Sequence, residues 1–179
     1  MIWVDETYIN YLPDAVSLEP LCGSLPELVV CKSMSKCYAL SGLRVAYAVS
    51  QNMATLRRFI PPWAVSLPGQ LAAVAALRND AYYAQQYEVI HSERRKMQQA
   101  LDDLGFQVFS GVANYLLTYL PAASGYSSTR FIEACREQGL FVRDAQNMGV
   151  LLPNNAVRFA VRSPEENEKM LSIVDAVLA

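Results

Sequence analysis

Histidine is nearly absent: His91 is the only one in 179 residues. The four cysteines, Cys22, Cys31, Cys37 and Cys135, form no C-x-x-C pair. A zinc site needs clustered thiols and imidazoles, and this spacing offers none. A Ser-His or Cys-His nucleophile would depend on His91, which falls mid-helix among charges. The thiols read instead as small buried hydrophobes kept reduced. Charge is also thin, at 18% of residues and a net of −2, with no dense Lys/Arg stripe. That argues against a nucleic-acid partner. No apolar run approaches the ~20 residues that a membrane-spanning helix needs. The first basic residue is Lys32, so the opening is not that of a secretory signal. Ten Tyr and six Phe argue against disorder. The expectation is a soluble, folded, cytoplasmic protein.

What is present is an α/β pattern. Residues 1–4, 28–31 and 45–49 are short continuous apolar runs, as expected of parallel strands covered on both faces. A short helix is expected over 51–58, broken by Pro61 and Pro62. An Ala-rich helix follows over 70–78, and Asp80 is placed to cap the next one. The 4–3 spacing of Tyr83, Tyr87, Ile90, Met97, Leu101 and Leu104 predicts a long helix over 81–104, with Arg94 as its one polar intrusion. Gly105 stands where that helix should stop. The texture then becomes α+β. Strands are expected at 106–109, 114–120, 140–143 and 157–161, and a helix over 128–138 presents Phe131, Ile132 and Cys135 before Gly139. Ser163-Pro164-Glu165-Glu166 has the form of a capping box opening a last helix striped by Met170, Leu171, Val174, Val177 and Leu178.

Three constellations carry chemistry. Only four lysines occur, and Lys36 stands just past an apolar strand in Ser33-Met34-Ser35-Lys36, with Arg44 following. A lysine there is either a solvated loop residue or an amine that takes a carbonyl. Two serines and Arg44 suit a phosphate. Asp5-Glu6-Thr7-Tyr8 follows the first strand and reads as a cap with a surface tyrosine, as metal ligands, or as charge partners for a cofactor. Arg143 ends one strand. Arg158 and Arg162 have the even spacing that places both on one strand face, which suits an anionic substrate or a solvated sheet face.

Taken in order, VDETYINY, SMSKCYALSGLRVAYAVS and VRFAVRSPEENEKML resemble the successive signatures of fold-type-I aminotransferases dependent on pyridoxal phosphate. The intervening PPWAVSLPGQLAAVAAL fits the same branch, that of histidinol-phosphate aminotransferase and threonine-phosphate decarboxylase. The resemblance implies part of a large, mostly parallel α/β cofactor domain over 1–82. It implies a small α+β domain over 83–179, entered through the long helix. It further implies that Lys36 bonds the cofactor aldehyde, Asp5 pairs with the pyridinium nitrogen and Tyr8 bonds the ring's phenolic oxygen. Ser33, Ser35 and Arg44 would hold the phosphate. Arg158 would take the substrate α-carboxylate, Arg143 would approach the substrate's other end, and Arg162 is a third candidate for the substrate. Metal is not implied.

The implied activity is amino-group transfer between an amino acid, or an amino-alcohol phosphate such as histidinol phosphate, and a 2-oxo acid, in a homodimer. Decarboxylation of threonine phosphate is the alternative reaction. An inactive fragment serving as a structural or interaction module is the alternative of another class. The resemblance implies chains roughly twice this long, well above one average domain, so residue 1 here matches about their middle. The glycine-rich phosphate turn, the aromatic that stacks on the ring, an asparagine that contacts the ring oxygen and several central strands would belong to an N-terminal half, which is a separate polypeptide, is lost by truncation of the gene product, or precedes a start at an internal point. Residues 1–179 alone are expected to bind the cofactor weakly and not to turn over. Strands 1–4 and 28–31 are expected to be left with unpaired edges.

Overall fold

A computed structural model describes residues 1–149 and 151–179. They divide into two compact units, Met1–Tyr87 and Glu88–Ala179.

The first unit is built on a three-stranded sheet of order β1 (Ile2–Asp5), β2 (Leu28–Ser33), β3 (Ala46–Val49). β1 and β2 run parallel, with Ile2 opposite Leu28 and Asp5 opposite Cys31. Their connection winds through short 3-10 turns at Ile9–Tyr11 and Glu19–Gly23. β3 departs from the expected parallel arrangement by running antiparallel to β2, with Val30 opposite Val49 and Ser33 opposite Ala46. The reason lies in residues 34–45, which hold no α-helix long enough to carry the chain back across the sheet. They fold on themselves instead. Leu40 N–H donates to Met34 O, and Met34 N–H donates to Val45 O, extending the antiparallel ladder.

β2 is therefore the central strand and not an edge, which corrects the expectation for 28–31. β1 is an outer strand of this sheet, with Ile2 and Trp3 exposed. Strand alternation puts Leu28 and Val30 on one face, packed with Val4, Val49 and Cys22. Lys32 shares that parity. Trp3, Asp5, Cys31 and Ser33 share the other face.

After the short helix α1 (Met53–Leu56), α2 (Leu67–Leu77) begins at Ser66, whose Oγ accepts the Gly69 N–H. Its inner face is small: Gly69, Ala73 and Ala76 are buried, and a Cβ on Gly69 would sit 3.3 Å from Leu43 O. Its outer face exposes Leu67, Leu71 and Val74. A helix apolar on all sides is normally covered on all sides.

α3 (Asp80–Asp103) starts in the first unit and ends in the second. Gly105, at φ 84°, closes it as the spacing predicts. Phe106 N–H reaches Leu101 O and Gly105 N–H reaches Asp102 O, the paired bonds of a Schellman stop. The second unit then forms an antiparallel sheet of order β4 (Gln107–Val108), β5 (Tyr115–Tyr119), β7 (Ala156–Ala160), β6 (Arg143–Asp144). α4 (Ser128–Glu137) and α5 (Pro164–Leu178) pack with it. The expected strand at 140–143 shrinks to Arg143–Asp144. Leu140 N–H is spent on Cys135 O and Gly139 N–H on Arg136 O, so this stretch stops α4 before it can pair.

Phe106, Phe131 and Phe159 meet edge to face at the centre of the core. Met97, Leu101, Leu116, Val157, Met170 and Val174 surround them.

The capping box forms as read. Ser163 Oγ accepts the Glu166 N–H, and the Glu166 carboxylate accepts the Ser163 N–H. Ser163→Ala is expected to lower stability by about 1 kcal/mol, read as a shift in the urea midpoint at unchanged slope.

Candidate functional site

The carboxyl ends of β1 and β2 bring two of the sequence motifs together. Asp5, exposed at the end of β1, has Oδ1 fixed by Thr7, which donates both its N–H (2.9 Å) and its hydroxyl (2.5 Å). Thr7 Oγ1 in turn accepts the Ser33 N–H at 3.2 Å. The Ser33 and Ser35 hydroxyls bond each other at 2.8 Å. One residue on, exposed Lys36 is tied through its carbonyl, which accepts the Tyr11 hydroxyl at 3.2 Å. Cys37 Sγ donates to Thr7 O at 3.1 Å. A continuous hydrogen-bonded chain therefore joins Asp5, Ser33 and Ser35, and separate bonds hold Lys36 against the same segment. Tyr8 sits at the start of the 3-10 turn Ile9–Tyr11, its ring 6.3 Å from that of Tyr11. Trp3, Asp5, Thr7, Cys31 and Ser33 line a cleft of about 370 Å³ on the exposed face of the sheet.

Arg44 ends the 3-10 turn Ser41–Leu43 in the left-handed region, at φ 53°. Its Nη1 donates to Ser41 O, within its own loop. Strain at a non-glycine residue is retained where its surroundings fix it, commonly at ligand clamps.

Sequence reasoning missed what lies behind this face. Lys32 is buried, with Nζ 3.2 Å from Glu6 and 2.7 Å from Glu19. Ser17 bridges the set, donating to Glu6 and accepting from Lys32. Tyr47 OH donates to Glu19. Burial alone would push the Glu6 carboxyl up. The bonds from Ser17, the Leu18 N–H and Lys32 outweigh it and hold the group below its ordinary 4.5. Burial would likewise pull Lys32 down, and its two carboxylates outweigh that and raise it. The available signal was parity: a lysine four residues beyond Leu28 and two beyond Val30 shares their buried face and needs a partner.

In the second unit the β6–β7 register sets Arg143 directly opposite Arg158. Like charges so placed repel, and an anion between them relieves the repulsion. The Arg158 guanidinium stacks over the Tyr115 ring at 4.9 Å. Arg162 lies past the end of β7, exposed and 3.5 Å from Glu166. The cation beside Arg158 is thus Arg143, where spacing alone suggested Arg162.

The donor set suits pyridoxal phosphate. A carboxylate held in place by two hydrogen bonds matches a protonated ring nitrogen. Paired hydroxyls match a phosphate, and an exposed primary amine matches an aldehyde. Among the described residues no group of three or more His, Cys, Asp or Glu could hold a metal ion. No described helix is long and apolar enough to cross a membrane.

Comparison with known proteins places the whole chain rather than its single residues. An aromatic amino acid aminotransferase from Rhodococcus erythropolis is 34% identical over 100% of this chain and 48% of its own. A threonine-phosphate decarboxylase from Salmonella typhimurium is 30% identical over 98% of this chain and 48% of its own. The crystal structure of a histidinol-phosphate aminotransferase from Clostridium acetobutylicum superposes with a TM-score of 0.86 at 25% identity, over 99% of this chain and 54% of that one. The chain therefore spans about half the length of the curated relatives it matches. The family model for aminotransferase class I and II matches residues 1–174 without a break, and the chain belongs to that family.

Proposed function

We propose that this chain supplies the cofactor lysine and the substrate-binding arginines of a pyridoxal-phosphate-dependent aminotransferase. The observation that carries the reading is the bonded chain Asp5–Thr7–Ser33–Ser35, ending one residue from Lys36. Enzymes of this family use pyridoxal phosphate. When bound, that group supplies an electron sink for negative charge at the substrate Cα.

The chain's own residues do the rest. Asp5 keeps a proton on the ring nitrogen, and Thr7 holds the acid still. Tyr8 donates to the ring oxygen. Ser33, Ser35 and Arg44 grip the phosphate. Lys36 would hold the cofactor through its amine, and the same amine would take and return a proton at the substrate Cα. Arg158, braced on Tyr115, takes the α-carboxylate, and Arg143 meets the substrate's other end. Arg162 contributes only by giving up Glu166.

The substrates proposed are an amino acid, or an amino-alcohol phosphate such as histidinol phosphate, with a 2-oxo acid as acceptor. The second reading, decarboxylation of threonine phosphate, is favoured by the Salmonella relative. The location proposed is the cytoplasm. The exposed β1 edge and the Leu67–Leu71–Val74 stripe support a partner. That partner is polypeptide equivalent to the other half of the relatives, with homodimer formation in the complete assembly. The same exposed faces also fit a non-catalytic interaction module.

A donor panel tests this, using the chain with pyridoxal phosphate and any polypeptide that co-purifies. Formation of 2-oxo acid without CO₂ supports transamination, and CO₂ from threonine phosphate supports the decarboxylase. Neither product from any donor favours the module.

A further inference from the structure

We propose that Tyr11 is a positioning residue that fixes the main chain of Lys36 through its phenolic hydroxyl. The inference rests on the reading of Lys36 as the cofactor lysine. Tyr11 is 1% exposed. A buried hydroxyl needs a partner, and the one it finds is the carbonyl of Lys36, 25 residues along the chain. A phenylalanine would fill the same ring volume, so the oxygen is present for this bond and not for packing. The ring is itself held edge-on by Tyr87, with centroids 5.3 Å apart. Burial pushes the phenol well above its ordinary range, so the group stays protonated and remains a donor.

Lys36 has a long, flexible and exposed side chain. The position of its amine therefore depends on how firmly its Cα is held. Beside the bonds within residues 33–45, three ties reach the segment from residues 7–11: Tyr11 OH on Lys36 O, the Cys37 thiol on Thr7 O, and Ser33 N–H on Thr7 Oγ1. All three anchor it to residues 7–11, the stretch that follows Asp5 and includes Tyr8. The lysine, the acid and the ring-oxygen donor are thus held to one frame. The Lys36 carbonyl also accepts the Ala39 N–H of its own turn at 3.1 Å, and Tyr11 is the tie from residues 7–11 to the lysine itself.

The test compares Tyr11→Phe with Tyr87→Phe. Tyr87 carries the same chemical group in the same aromatic cluster, and its buried hydroxyl has no hydrogen-bond partner among the described residues. Two readouts are taken on the full chain. The first is amide hydrogen exchange over residues 36–40. The second is the rate at which pyridoxal phosphate is fixed to Lys36 by borohydride, normalised to Lys96 in the same sample. Tyr11→Phe is expected to speed exchange and to lower relative incorporation at Lys36 about fivefold, the weight of one hydrogen bond. Tyr87→Phe is expected to leave both unchanged. Unchanged exchange and incorporation in Tyr11→Phe, or an equal loss in Tyr87→Phe, would overturn the proposal. A wild-type chain with no preference for Lys36 over Lys96 would overturn the cofactor reading and the positioning role with it, whatever the exchange shows. Wild-type preference kept at full rate in Tyr11→Phe would overturn the positioning role alone.

Discussion

Phe131→Ala should lower the unfolding free energy of the second unit by about 3–5 kcal/mol, the usual cost of removing a ring from a closed core. The size follows from the packing. Phe131 is fully buried and lies on the inner face of α4 with Ile132 and Cys135. It meets Phe106, Phe159 and Tyr126 at centroid distances of 6.0–6.4 Å, all steeply inclined. The small side chain left behind cannot fill the space, because Phe106 follows a helix stop and Phe159 lies on an inner strand, each fixed by backbone bonds. Urea titration followed by hydrogen exchange resolves the effect. The expected pattern is early exchange in Glu88–Ala179 with little change in Met1–Tyr87. A loss below 1 kcal/mol would mean that the core relaxes around the cavity.

Lys32→Met should cost a similar amount, about 3–5 kcal/mol, for an electrostatic reason: it leaves Glu6 and Glu19 without their cation. The pH dependence separates this from a packing defect. In the wild type Glu6 is held below its ordinary 4.5, so its contribution is complete above that pH and is lost as pH falls through the lower folded value. Lys32 is raised above its ordinary 10.5, so its contribution is complete below that pH and fades only as pH rises through the higher folded value. The pair therefore contributes steadily between those limits. The Lys32→Met deficit should be largest near neutrality and shrink toward pH 4, where protonation relieves the stranded carboxylates. A deficit independent of pH would assign the loss to packing. Replacing Glu6 by Leu together with Lys32→Met should recover part of it, because an apolar pair leaves less buried charge unpaired.

The features legible in the sequence are those whose chemistry is local. Gly105 and Gly139 supply the positive φ that ends α3 and α4, and each can be placed from the residues before it. The Ser163–Glu166 box is written in four consecutive residues. The ordered strings around Asp5, Lys36 and Arg158 carry the family in the same way. What escaped reading depends on pairings between distant residues. The reversal of β3 is set by how residues 34–45 bond to themselves. Arg143 meets Arg158 through the β6–β7 register, whereas counting along one strand pointed to Arg162. The burial of Lys32 depends on Glu6, Ser17 and Glu19 being brought behind the sheet from another part of the chain. Tyr11 read as one of ten tyrosines, and only its burial and its bond to Lys36 O give it a part in the site.

On the proposed function, Lys36 is the amine that takes a pyridoxal aldehyde. Incubation with pyridoxal phosphate, fixation with borohydride and mapping of modified peptides test it directly. Label concentrated on Lys36, over Lys32, Lys96 and Lys169, and absent in Lys36→Ala, is the predicted result. Label spread evenly over the exposed lysines, with Lys36 unremarkable among them, would contradict the account.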